Sequence, residues 1–233
     1  MGSTKTFASF APFARPRLLF SGPPDLSKAI ACLRGCHYFP RMATLRKKPL
    51  VSVGDYLRLE REAPYKSEYY AGDVFAMAGG SPTHSAITMN VGGELRNLLK
   101  GNRCAPYDSN LRIFVPGTGL YSYPDASVIC GPLELVDAFG DMVANPTLIV
   151  EVLLDSTEAY DRGRKFAHYR TLPSFAEYVL VSQKEPLVEV FFRMADGTWQ
   201  LTPARGREAS VRLQSLGVEL RLAEVYDRVE FAE

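Results

Sequence analysis

The segment Thr147-Leu148-Ile149-Val150-Glu151-Val152-Leu153-Leu154 most narrows what this chain can fold into. Six of the seven neighbours of Glu151 are aliphatic, the pattern of a strand covered on both faces. A carboxylate left unpaired in such a strand costs several kcal/mol or gives up its charge. The fold must therefore bring a cation to Glu151.

Two other segments supply matching pieces. Tyr123-Pro124-Asp125-Ala126-Ser127-Val128-Ile129 carries an acid at the head of a second apolar strand, and Asp161-Arg162-Gly163-Arg164-Lys165 reads as helix. From Glu151 to the strand end near Leu154 is roughly 10 Å at about 3.3 Å per residue. From Thr157 to Lys165 is roughly 12 Å at about 1.5 Å per helical residue. If the helix folds back over the sheet, Lys165 returns to the level of Glu151. Asp155 and Glu158 read as an acidic capping box at the helix start. Alternation puts Asp125, Ser127 and Ile129 on one face of their strand and Ile149, Glu151 and Leu153 on one face of theirs, so adjacent strands can bring both acids together.

Composition bounds the rest. At 233 residues and 46% hydrophobic, the chain can bury a sizeable core as one domain. A net charge of +1 gives no broad basic field, so nucleic-acid binding would rest on local Lys and Arg placement. No apolar run reaches the roughly 18 residues of a membrane span. The four cysteines show no disulfide framework, which points to free thiols and a reducing, cytoplasmic setting. Cys32-Leu33-Arg34-Gly35-Cys36-His37 lacks the spacing of a haem site and has no second ligand pair for a metal.

Residues 1–41 differ from the remainder: six basic residues stand against the single acid Asp25, with no sustained period. They read as a poorly ordered N-terminal extension from an upstream start, with a single domain over 42–233 opening at Met42. Weak transit-peptide and myristoylation patterns in the same stretch are the alternatives. Beyond it, Ser52 caps a helix. A hairpin turns at Ala71-Gly72-Asp73, and Ser81-Pro82 opens a helix running to Lys100. Strands are expected near 103–107, 111–115, 124–129, 147–153, 177–181, 187–192 and 199–202. This order indicates an α/β fold, a sheet flanked by helices rather than a doubly wound one.

Asp125 and Glu151 are the candidate ligands for a divalent cation, which would screen their repulsion; hard oxygen donors suit Mg²⁺ or Mn²⁺. Lys165 is the candidate charge stabiliser, in chemistry of the metal-assisted phosphodiester-hydrolysis type. The plain alternative pairs Lys165 with Asp161 on a solvated helix face, worth about 0.3–0.5 kcal/mol. His84, in the first turn after Gly79-Gly80, could contact phosphate or move a proton, or could be an ordinary helix-start histidine. Asp73 is a further metal-ligand candidate, or a turn residue after Gly72. Glu68 is weaker.

The run Gly72-Asp73-Val74-Phe75-Ala76-Met77-Ala78-Gly79-Gly80-Ser81-Pro82-Thr83-His84, followed by Tyr123-Pro124-Asp125, Glu151-Val152-Leu153, Ser156-Thr157, Asp161-Arg162, Lys165, Tyr169 and Glu177-Tyr178, resembles the Uma-two family, proteins assigned as restriction endonucleases. That family is a bacterial branch of the PD-(D/E)XK nuclease superfamily, and the resemblance spans about residues 48 to 230. It implies a restriction-endonuclease-like core of a mixed β-sheet flanked by helices, magnesium dependence and DNA as substrate. The family's core acids fall on Asp125 and Glu151, and its lysine falls on Lys165, displaced from the strand position that Leu153 fills here. Asp73 stands where the family has Glu, and Leu154-Asp155 where it has Ser-Pro. A homodimer is compatible with all of this. So are two rival classes, a binding module that has lost cleavage and a homo-oligomeric accessory protein.

Overall fold

The computed structural model describes residues 50–77 and 79–231. The expectations for residues 1–41, Met42 and the Cys32–Cys36 pair lie outside these. Helix α1 (Val53–Glu62), capped by Ser52, precedes the hairpin β1 (Ser67–Tyr70) and β2 (Asp73–Ala76). Ala71 and Gly72 turn it, both at positive φ. Helix α2 (Pro82–Leu98) begins at the Ser81 cap with Pro82 at its first position. There follow β3 (Cys104–Asp108), β4 (Arg112–Val115), β5 (Leu120–Ser122), β6 (Ala126–Cys130), β7 (Met142–Val143) and β8 (Leu148–Val152). A broken helix comes next: α3 (Glu158–Tyr160), a π-turn over Asp161–Lys165, and α4 (Phe166–Tyr169). The chain closes with β9 (Glu177–Val181), β10 (Leu187–Arg193), β11 (Trp199–Arg205), β12 (Ser210–Leu213), β13 (Val218–Arg221) and α5 (Leu222–Val225).

The strands form two large sheets and a small hairpin. The six-stranded sheet runs β11-β10-β9-β8-β6-β3, and the five-stranded one β2-β1-β5-β4-β7. β8 is central. It pairs antiparallel with β6 and parallel with β9, and every residue of it is buried, as its aliphatic run requires. One face of this sheet, through Val128, Leu148, Val150 and Val179, packs on α2, α5 and the β12–β13 hairpin. The other, through Ile129, Ile149, Leu153 and Leu180, packs on α4 and the β4, β5 and β7 residues Ile113, Leu120 and Val143. Helix α1 covers the far side of the five-stranded sheet, where Tyr56 meets Tyr69 and Tyr121. The expected mixed sheet flanked by helices is present as the six-stranded sheet, a second, five-stranded sheet joins it, and Glu151 faces the layer between the two.

Two expectations fail locally. Cys104 and Cys130 are not free thiols: they stand opposite each other on β3 and β6 and form a disulfide. Their pairing depends on strand register, which the spacing of cysteines does not reveal. The acidic capping box is also absent. Asp155 is drawn to Lys184 at 2.7 Å, and Thr157 takes the N-cap position with its hydroxyl turned to Asp161. Among the described residues no helix is long and apolar enough to cross a membrane.

Candidate active site

Asp125 lies one residue before β6. The β6–β8 register pairs Ala126 with Val150, so the next step sets Asp125 beside Glu151. Its Oδ2 accepts the Val152 N–H at 2.7 Å, which fixes the acid at the end of β8. Lys165 reaches the same place from the helix. Its Nζ lies 2.9 Å from Glu151 Oε1, 2.9 Å from Glu68 Oε1 and 3.7 Å from Asp161 Oδ1. The return of the helix to the level of Glu151 is therefore realised, and the solvated Asp161–Lys165 pair is not: both residues are 5% exposed.

The broken helix explains how Asp161, Lys165 and Tyr169 all face inward. In an α-helix, residues four apart drift around the axis because 3.6 residues make a turn. The wider π-turn offsets that drift, a device recurrent at functional sites. Tyr169 donates its hydroxyl hydrogen to Glu151 Oε1 at 3.1 Å and lies 3.0 Å from Ser122 Oγ. Thr157 donates to Asp161 Oδ2 at 2.9 Å.

His84 closes the group from α2, with Nε2 3.3 Å from Asp125 Oδ2. Gly80 is required beneath it, since a Cβ there would stand 2.6 Å from His84 Nδ1. Gln183 bridges the two elements: its amide donates to the Leu153 carbonyl at 2.7 Å, and its oxygen accepts from Ser81 at 2.8 Å. Asp73 stays apart. It is exposed at the start of β2 opposite Tyr70, whose ring packs on His168, one turn beyond Lys165. Among the described residues it makes no ion pair with the group.

Sequence reading undervalued Glu68 and gave Asp161 only a surface role. Nothing local marks Glu68. Its burial comes from β1 joining β5 in the second sheet, where Tyr69 pairs with Tyr121.

Four acids (Glu68, Asp125, Glu151, Asp161) thus surround one lysine and one histidine. Burial, reinforced by Asp161 and Asp125, pushes the Glu151 carboxyl well above its ordinary range despite the nearby ammonium. Burial also raises Asp161, against the pull of Lys165. Burial works to discharge Lys165, but Glu151, Tyr169, Glu68 and Asp161 outweigh it and keep the amine protonated. The hydrogen bond to Asp125 raises His84. Without further cations the cluster holds protons that its acids would otherwise lose.

A divalent metal fits this donor set. The donors are hard carboxylate oxygens in excess over fixed cations, and Glu68 Oε1 is buried without a hydrogen bond of good geometry, although the Lys165 ammonium lies close. Among the described residues no three acids or imidazoles already converge as ligands. Lys165 stands between Glu68 and Glu151, 2.9 Å from one oxygen of each.

Two acids at adjoining strand positions and a lysine from the following helix, on mixed sheets flanked by helices, define a restriction-endonuclease-like α/β protein. The chain belongs to the Uma2 family, described as "Putative restriction endonuclease", whose model matches residues 53–223. It is 34% identical over 183 residues to the uncharacterized protein slr1290 of Synechocystis sp., covering 78% of this chain and 95% of that one. It is 30% identical over 177 residues to the uncharacterized protein sll1609 of the same organism, covering 76% of this chain and all of that one. A crystal structure described as "a putative nuclease belonging to DUF820", from Anabaena variabilis, shares the fold with a TM-score of 0.64 at 17% identity, over 77% of this chain and 99% of that one.

Proposed function

We propose that this protein is a metal-dependent endonuclease that hydrolyses phosphodiester bonds in DNA. The observation that carries the reading is the excess of buried carboxylates around Lys165, beside the ends of β6 and β8. Asp125 and Glu151 would hold Mg²⁺ or Mn²⁺, and Glu68 suits the third place expected for Asp73 better, since it already lies in the group. Such an ion, when bound, polarises the phosphate and lowers the pKa of water.

The chain's own residues have separate tasks. Val152 N–H orients Asp125, and His84 beside it is placed to carry a proton at Nε2. Lys165, 2.9 Å from both Glu68 and Glu151, would present a fixed positive charge to the phosphate in a site with little water. A homodimer would offer one centre to each strand of a duplex. We place the protein in the cytoplasm, where DNA is at hand; the Cys104–Cys130 disulfide is the observation that pulls against that location.

Supercoiled plasmid incubated with the purified protein is the direct test. Nicking or linearisation with Mg²⁺ or Mn²⁺, stopped by chelator, is the expected result. Salt-dependent DNA binding that ignores chelator and yields no cut would identify a binding module instead. No DNA binding at all would identify an accessory protein.

A further inference from the structure

We propose that Tyr169 is a positioning residue of this centre: its hydroxyl fixes Oε1 of Glu151, so that the carboxylate meets a divalent cation in one orientation. The inference rests on the metal-dependent reading above. Tyr169 is fully buried at the end of α4, with its ring against Phe175 and Tyr178. At full burial its hydroxyl is shut off from bulk solvent, and a buried phenol is satisfied by partners inside the fold.

Those partners join three elements. The phenol hydrogen goes to Glu151 Oε1 on β8 at 3.1 Å, so the Ser122 hydroxyl on β5, 3.0 Å away and itself fully buried, donates to the phenol oxygen. Ser122 belongs to the five-stranded sheet and Glu151 to the six-stranded one. The closest approaches of Lys165 and Tyr169 are both to Oε1, which leaves Oε2 as the freer oxygen for a metal. Lysine alone is a poor fixture, being a point charge on a flexible stem shared with Glu68 and Asp161. A phenol held in packed aromatics has no such latitude. Groups that hydrogen-bond a metal-ligating side chain typically govern about 10- to 100-fold in metal affinity.

Tyr178 provides a matched control. It is equally buried, and its ring lies 5.9 Å from that of Tyr169, but its hydroxyl donates to the Asp161 backbone carbonyl rather than to a carboxylate. Tyr169→Phe and Tyr178→Phe each delete one buried hydroxyl from the same aromatic cluster. Only the first frees Glu151.

The experiment is Mn²⁺ titration by calorimetry on the full-length protein stripped with chelator, comparing the parent, Tyr169→Phe, Tyr178→Phe and Ser122→Ala. Both phenylalanine variants should melt somewhat lower than the parent. Tyr169→Phe should weaken Mn²⁺ binding about 10- to 100-fold, Ser122→Ala should weaken it less, and Tyr178→Phe should leave it at the parent value. If Tyr169→Phe does not fold, Ser122→Ala decides. Parent-like Mn²⁺ affinity in Tyr169→Phe, or in Ser122→Ala where that variant decides, overturns the proposal. So does an equal loss in Tyr178→Phe. Plasmid cleavage by the same preparations separates the two failures: a parent that cuts and binds Mn²⁺ while Tyr169→Phe binds equally well removes the positioning role alone. A parent that neither binds Mn²⁺ nor cuts removes both readings.

Discussion

Glu151 and Glu177 make an instructive pair. They sit in adjacent parallel strands, β8 and β9, amid apolar residues, and are 4% and 0% exposed. Glu177 is satisfied by neutral donors from the turn between β12 and β13: Gln214 N–H at 2.8 Å, Ser215 N–H at 3.2 Å and the Ser215 hydroxyl at 2.6 Å. Burial raises its pKa, and these three bonds act to lower it. Glu151 has a charged partner that it shares with two other acids, and its pKa rises further. A buried carboxylate is therefore not in itself a sign of function. Glu177 is a structural clasp with its bonds complete, whereas Glu151 belongs to a group left with surplus negative charge.

Removing the shared cation should give the largest contrast. Lys165→Ala leaves three acids around an empty place, and breaking a buried pair typically costs about 3–5 kcal/mol, against about 0.5 kcal/mol for an exposed one. Urea unfolding of metal-free protein at neutral pH measures it. A loss below about 1 kcal/mol would erase the distinction between this cluster and a surface pair.

Exchanging each glutamate for its amide sharpens the comparison directly. Glu151→Gln should abolish plasmid cleavage while leaving stability equal or higher, because a neutral amide relieves the crowding of acids. Glu177→Gln should do the reverse. Its new NH₂ faces donors, at a cost of about 1–3 kcal/mol, with cleavage unaffected. If the two variants behave alike in both assays, the division into site and clasp is wrong.

The smallest effect is in pH dependence. Glu151 and Asp161 have folded pKa values above their ordinary ones, so the fold binds more protons than the unfolded chain there. Their stabilising contribution is complete below the ordinary carboxylate range and is lost as pH rises through the raised values. His84, also raised, adds a loss in the same direction at pH above its ordinary 6.5. Melting temperature of metal-free protein should accordingly decline across this window, and saturating Mn²⁺ should flatten the decline by replacing protons. An unchanged slope with Mn²⁺ present would mean that the metal does not bind among these acids.

Much of this site was legible because it depends on local rulers. Strand alternation placed Asp125 and Glu151 on one face, and strand and helix rise brought Lys165 back to Glu151. Glu68 obeys no such ruler. The run Ser67-Glu68-Tyr69-Tyr70 has no apolar alternation, and only the distant strand β5 turns it into a buried element. Asp161 was misjudged for a different reason, since a regular helical phase would not predict the π-turn that buries it with Lys165. Strand β5 is three residues long and β7 two, too short to show a period. The second sheet was thus hidden even where the first was clear.

The Cys104–Cys130 bridge has a topological consequence. Between these two residues, 26 apart in sequence, the chain leaves the six-stranded sheet at β3, lends β4 and β5 to the other sheet, and returns through Pro124-Asp125 as β6. The disulfide closes this excursion into a covalent ring. A ring of this size removes roughly 3–4 kcal/mol of entropy from the unfolded chain. It also has no free end to unthread, so fraying of β4 and β5 cannot propagate by drawing β3 off the sheet edge. Asp125 and Ser122 lie on the same hoop, so the bridge ties the acid of the site and the hydroxyl beside Tyr169 into one closed loop with β3.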